Sequence, residues 1–301
     1  MISSLDPAAQ NFLSGLDQIQ QRAQRAQQEL TTGLKINQVS DAPDQIASLW
    51  QTRAEVNQVQ QINSNLGRVK TEVDTAQQAL QSAVTLVERA QSLGAQGASG
   101  TTDAQTRQDL ADELGSILQE LVSTANTTVE GRYIFSGNSD QQAPYNIDLT
   151  QTSPISVYQG AGATRQVQSP DGSLFSVGLT AQQIFDSPNA QQNVFVSINN
   201  LRQALLNNDA AGTLSAVGDV QTAGAYLNQQ LAFYGNVQDR VAGGLDFGQT
   251  YATQLQTQLS GLQDADEAQA ITELTQAQTQ LQAALVSRAQ LPRSSLFDYL
   301  A

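Results

Sequence analysis

Near the N-terminus the apolar residues Phe12, Leu16, Ile19, Ala23, Ala26 and Leu30 recur at spacings of four, three, four, three and four. That is the period of a coiled-coil seam, and it predicts a helix. The stripe is narrow and partly alanine, so such a helix is marginal alone in water and needs a partner. It should stop at Thr32-Gly33, where glycine supplies a left-handed cap. "LKINQVSDAPDQIASLW" follows, with Ser40 or Asp41 as an N-cap and Pro43 suited to a first turn. From Asp44 to about Ser92 a second seam carries Leu49, Val56, Leu66, Val69, Val73, Ala76, Leu80, Ala83 and Val87. A helix of roughly 50 residues is ~75 Å long, the length of a rod rather than of a compact domain. Gly94 to Gly100 reads as a turn. Thr102 or Asp103 restarts a helix, with Leu110, Leu114, Ile117 and Leu121 on one face, packed back on the long one. Gly131 is its expected end.

From Gly131 to about Asp186 the pattern changes to short runs of β-branched and aromatic residues: "RYIFSG", "ISVYQG", "TRQVQS" and "LFSVGL". "SPDG", Ser169 to Gly172, reads as a tight turn between two of them. Helical spacing then returns with Val194, Ile198, Leu201 and Leu205, ending near Asn207-Asn208. Another helix is expected from about Ala211 to Ser260, with a break at Gly235 or at Gly243-Gly244. The last begins near Asp264-Ala265-Asp266 and has a seam of Ile271, Leu274, Ala277 or Gln278, Leu281 and Leu285. It stops at Leu291-Pro292, before a tail that is apolar at Leu296, Phe297 and Leu300.

The elements run nearly as a palindrome. They predict a mainly α fold: an elongated antiparallel helical rod or coiled coil made by the N- and C-terminal regions, with a small β-rich domain inserted at the far end. Five segments follow: a coiled-coil or polymerisation segment over 1–40, rod over 41–130, a β-rich outer domain over 131–187, rod over 188–262, and a second coiled-coil segment over 263–301.

Composition narrows the function. The 301 residues are 40% hydrophobic but only 5% aromatic, so the helical cores are thin. A formal net charge of −14 opposes binding to nucleic acid phosphates and anionic lipid. With neither cysteine nor histidine, thiol chemistry, disulfides, Zn–Cys sites and imidazole acid–base work are excluded. Asp41 and Asp44, or Asp264, Asp266 and Glu267, read as helix-start carboxylates favoured by the macrodipole rather than as a catalytic or cation-binding pair. "GNSDQQ" does not fit a calcium loop, and the glycines of "GAQGASG" have the wrong spacing for a dinucleotide fingerprint. The expectation is no enzyme, no cofactor and no metal. Met1 to Pro7 has neither a basic nor an apolar signal region, and no apolar run reaches the ~20 residues of a membrane span. Export, if it occurs, should use a route without a cleaved signal.

Specific stretches carry a family resemblance. "TTGLKINQVSDAPDQIASL", Thr31 to Leu49, resembles the N-terminal region of flagellins, departing from it at Asp41-Ala42-Pro43-Asp44 where those proteins usually have paired aspartates. "SGLQDADEAQAITELTQAQTQLQAAL", Ser260 to Leu285, and "SLFDYL", Ser295 to Leu300, are similar to the flagellin C-terminus. In the middle, "NTTVEGRYIFSG" contains Gly131, Arg132, Tyr133, Ile134, Phe135 and Gly137. Together with "APY", "VYQG" and "IFDS", it resembles the hook-associated protein 3 branch of that superfamily.

The resemblance implies a structural subunit of the bacterial flagellum, outside the cell, exported through the flagellar type III apparatus and joining hook to filament. Its partners would be copies of itself, a neighbouring hook-associated protein, flagellin and an export chaperone. A short filament flagellin is the alternative, and a binding module on a helical stalk a remoter one. The seam Phe12, Leu16, Ile19 and Leu30 with Ile271, Leu274, Leu281 and Leu285 then fits a subunit–subunit coiled coil, although periodicity alone favours an ordinary intramolecular pair. Leu296, Phe297 and Leu300 fit either a sticky end covered by a partner or a frayed terminus.

Overall fold

The computed structural model describes residues 7–290. Among them are seven α-helices: α1 (Pro7–Thr32), α2 (Ile46–Gly97), α3 (Ala104–Ala125), α4 (Ala181–Phe185), α5 (Val194–Leu206), α6 (Ala210–Gln263) and α7 (Glu267–Gln290). Four short strands, β1 (Thr128–Val129), β2 (Arg132–Tyr133), β3 (Gln166–Gln168) and β4 (Leu174–Ser176), make two antiparallel hairpins, β1–β2 and β3–β4. The chain forms two compact units, one of residues 59–251 and one of residues 1–58 with 252–301. The boundaries fall inside α2 and α6.

In the 59–251 unit the predicted seam of α2 from Leu66 to Val87 is buried, as are Leu110, Leu114, Ile117 and Leu121 of α3 and Val194, Ile198, Leu201 and Leu205 of α5. Asp103 caps α3 by accepting from the Thr106 N–H at 2.7 Å, which holds its carboxyl below the usual carboxylate range. Three local signals read differently in the folded chain. First, α2 runs through Gly94 to Gly97, so only the residues after it turn. Both glycines sit under neighbouring side chains. A Cβ on Gly94 would stand 2.7 Å from Val217 and 2.8 Å from Leu201, and one on Gly97 would stand 2.3 Å from Leu205. Glycine serves close helix approach here rather than termination. Second, α6 is unbroken at Gly235 and Gly243, where a Cβ would meet open space. Third, α3 ends at Ala125, and Gly131 instead shapes the β1–β2 turn, where Glu130 and Gly131 both have positive φ.

These environments predict opposite outcomes for one substitution. Gly97→Ala should destabilise by about 1–3 kcal/mol, because Leu205 is buried and must yield. Gly243→Ala should stabilise by up to about 1 kcal/mol through helix propensity alone. Urea unfolding of the two variants checks the pair.

The same glycine is tied to Arg107, a buried cation on α3. Its Nε donates to the Gly97 carbonyl at 2.9 Å, one Nη to the Ser99 carbonyl at 3.2 Å and the other to the Asn208 side-chain oxygen. One guanidinium thus holds the α2–α3 and α5–α6 turns together, using neutral acceptors only.

The β-rich stretch has less ladder than its sequence suggests. "ISVYQG" contributes a single bridge, Ile147 to Ile155, and "RYIFSG" only the two residues of β2. "SPDG" does turn tightly, with Gly172 N–H bonded to the Ser169 carbonyl and φ +86° at Gly172. What fixes the region is an aromatic core. Phe135 is edge-on to Phe185 and Tyr234, Tyr145 is edge-on to Phe195, and Phe185 stacks on Phe195 at 5.5 Å. Asn126 grips the Tyr145 backbone twice, accepting from its N–H and donating to its carbonyl. The β3–β4 hairpin rests on α6, with Arg240 4.5 Å over the Phe175 ring and Pro170 close to Gly248.

Two phenols in this core give a pH signature. Burial, reinforced by the Asp186 carboxylate that accepts from its hydroxyl, pushes Tyr145 well above the ordinary phenol value. Burial does the same to Tyr234, whose oxygen accepts from the Leu179 N–H at 3.0 Å. Their folded pKa values are raised, so their contribution is complete below about pH 10 and falls as pH rises beyond it. Tyr145→Phe should flatten the alkaline decline measured by unfolding between about pH 9 and 11. An unchanged slope would contradict this.

Candidate assembly interface

The other unit is built from α1, α7, the first turns of α2, the last turns of α6 and the segments that join them. Gly33, with φ +70°, ends α1 as its sequence predicts. The following segment crosses to the α6–α7 connection: Lys35 N–H donates to the Gln263 carbonyl at 2.7 Å, Ala265 N–H donates to the Gly33 carbonyl at 2.9 Å, and Leu34 bridges Asp264. Ile36, Ala42 and Leu49 form a small core against Ile46, Leu259 and Leu262. Asp41 does not cap α2. Its carboxylate accepts from the N–H groups of Asn37 and Gln38, at 2.9 and 2.7 Å, and so fixes the loop before the helix. The Ala42 carbonyl accepts from Gln45 and Ile46 instead, which places Pro43 in the turn just ahead of α2. Asp266 caps α7, accepting from Gln269 N–H at 3.0 Å.

Helices α1 and α7 run antiparallel. Arg22 bonds Glu273 at 3.2 Å and Gln280 at 2.5 Å, while Arg288 lies 5.5 Å over the Phe12 ring. The α1 seam keeps its predicted register: Ala26 is buried, and Phe12, Leu16, Ile19, Ala23 and Leu30 are half-buried. On α7 the buried face is Ala270, Leu274, Ala277, Leu281 and Ala284. Leu274 and Leu281 therefore join the α1 face, whereas Ile271 and Leu285 turn outward, 54% and 52% exposed beside Val286. Ala270 and Ala277, nearly inaccessible, let the helix axes approach more closely than leucine would. The apolar stripe on α7 is thus two residues wide: its alanine side is used within the subunit and its larger side is open. Periodicity could not separate these, because adjacent stripes on one helix share the same heptad.

The middle motif belongs to the 59–251 unit and is a folding device. Gly131 makes the hairpin turn, and Arg132 pairs with Asp140 at 3.5 Å. Tyr133 N–H donates to the Asp140 carbonyl, Ile134 packs on the core and Phe135 fills its centre. Gly137 has φ +63°, and a Cβ there would lie 2.1 Å from the Ala161 carbonyl oxygen. Leu296, Phe297 and Leu300 lie outside the described residues. Among the described residues no cluster of acidic side chains could hold a metal, and no helix is long and apolar enough to cross a membrane.

Long helices from both ends of the chain, enclosing a mixed middle module, define a helical structural subunit with paired N- and C-terminal regions. Family comparison agrees. The chain matches the bacterial flagellin N-terminal helical region over residues 3–140 and the bacterial flagellin C-terminal helical region over residues 217–300, and it belongs to the flagellin family. It is 24% identical to flagellar hook-associated protein 3 of Salmonella typhimurium over 319 residues, covering 95% of each chain. It is 25% identical to a flagellin of Bacillus subtilis, over 89% of this chain and 88% of that one. A flagellar hook-associated protein of known structure from Vibrio parahaemolyticus shares the fold at a TM-score of 0.65 and 20% identity, covering 74% of this chain and all of that one.

Proposed function

We propose that this chain is the structural subunit that joins hook to filament in a bacterial flagellum, rather than a filament flagellin. The observation that carries this reading is similarity to hook-associated protein 3 along 95% of both chains, with the Gly131–Gly137 module present between flagellin-like ends. Its work is mechanical: no reaction is assigned to it. The partners are further copies of the chain, an adjacent hook-associated protein and flagellin, and an export chaperone is the expected escort for the apolar tail at Leu296, Phe297 and Leu300. It acts outside the cell, reached by flagellar export, and binds no nucleic acid.

The terminal segments, 1–40 and 263–301, are the polymerising parts. Phe12, Leu16, Ile19 and Leu30 with Leu274 and Leu281 hold the helix pair within one subunit, and Ile271 and Leu285 meet the next. The segments 41–130 and 188–262 supply the helical wall, and 131–187 the outward module.

A short filament flagellin is the second reading, favoured by the similarity to the Bacillus subtilis protein. Counting copies in purified flagella separates them. The junction reading expects a small, fixed number per flagellum, confined by immunolabelling to the hook end. Thousands of copies along the filament would assign the chain to the filament.

A further inference from the structure

Within the 59–251 unit, a groove of about 620 Å³ lies beside the β1–β2 hairpin and takes no part in the terminal-helix pairing. Three elements line it: α2 through Ile62, Arg68, Val69 and Glu72, the β1–β2 hairpin, and β3. The β3–β4 ladder is pinned by Ser169 N–H to the Ser173 carbonyl and Val177 N–H to the Arg165 carbonyl, with Val167 opposite Phe175. In an antiparallel ladder alternate residues bond inward, so Arg165, Val167 and Ser169 do. Gln166 and Gln168 therefore turn their backbone N–H and C=O groups to the other side. Neither has a hydrogen-bond partner among the described residues. All of β3 lines the groove, whereas on the other strand only Val177 to Leu179, past the end of β4, reach it, so the open edge of β3 faces the groove. Edges left open are usually blunted by proline or a charged side chain, and Gln166-Val167-Gln168 has neither.

The charges around the groove are uneven. Arg132 is paired with Asp140, and Arg165 with Glu72. Among the described residues, the exposed Arg68 has no carboxylate partner and Glu130, at the hairpin turn, has no cation partner. Apolar surface from Ile62 and Val129, both half-buried, is available between them.

We propose that this groove takes an extended peptide segment of a partner protein as a third strand on β3. The partner presents one carboxylate to Arg68, a neutral polar side chain beside Glu130, and apolar side chains at alternate positions. Main-chain bonds to Gln166 and Gln168 supply the affinity, and the charge at Arg68 sets the choice of sequence.

The test uses the full chain, isotope-labelled, titrated with a synthetic capped hexapeptide of alternating valine and threonine carrying a single aspartate. The expected result is a shift of the Gln166 and Gln168 amide resonances on binding. Arg68→Glu, at an exposed site that leaves the fold intact by circular dichroism, should weaken the complex by at least about tenfold. It should also improve binding of the same peptide with lysine in place of aspartate. N-methylation of alternate peptide nitrogens should abolish binding. Failure to bind at millimolar peptide, shifts confined to other residues, or binding indifferent to Arg68→Glu and to N-methylation would overturn the assignment. So would a dimer of the chain alone that Arg68→Glu dissociates in sedimentation, since the occupant would then be a second copy.

Discussion

Phe135→Ala is expected to lower the stability of the 59–251 unit by about 3–5 kcal/mol, the cost of emptying a well-packed aromatic site. Phe135 is fully buried, with Phe185 and Tyr234 edge-on at 6.5 and 6.2 Å, so two rings lose a partner along with the buried area. Its own backbone is in use as well: its carbonyl accepts from the Ala181 N–H at 2.7 Å and from the Tyr158 hydroxyl at 3.2 Å. The rings cannot close the gap without moving the segments that these bonds fix. Phe135→Leu retains much of the volume and should cost clearly less, about 1–2 kcal/mol. Urea unfolding followed by near-ultraviolet circular dichroism reports on this core. A loss below about 1 kcal/mol for the alanine variant would mean that the aromatic cluster is not what holds the β-rich region.

The second large effect is on assembly. Ala277→Asp puts a carboxylate on the face of α7 that meets α1, at a residue only 1% exposed. An unpaired buried charge is not tolerated in so thin a seam. The α1–α7 pair should separate, while the aromatic core of the 59–251 unit keeps its unfolding midpoint. Cells carrying the variant are expected to export the chain without incorporating it, and to lose filaments. Ile271→Ser is the informative contrast. Ile271 is more than half exposed in the single subunit, so the helix pair should be unaffected and only incorporation should fall. Normal filaments with both variants would remove the terminal helices from the assembly surface.

The contrast between those two positions also marks how far the sequence reaches. The α1 seam was legible because one heptad stripe has one partner. On α7, two adjacent stripes satisfy the same spacing, and the choice of the alanine side depends on axial distance, a property of the pair. Gly94 and Gly97 carry the composition of a turn, yet their function is set by Leu201, Leu205 and Val217, more than a hundred residues away. The overestimated strands have a related cause. Aromatic and β-branched residues in 131–186 signal burial, and here burial is met by a ring cluster and side-chain-to-backbone bonds such as Asn126 to Tyr145 rather than by long ladders. Arg107 left no signal at all, since one arginine in a polar helix looks like any other. The groove beside β3 needed three elements brought together by the fold.

The most direct test of the junction role is a strain in which this gene alone is deleted. The account predicts hooks of normal length that carry no filament, flagellin released unassembled into the medium, and recovery of both filament and swimming on re-expression of the intact chain. Full-length filaments on the deletion strain, with motility unchanged, would contradict it.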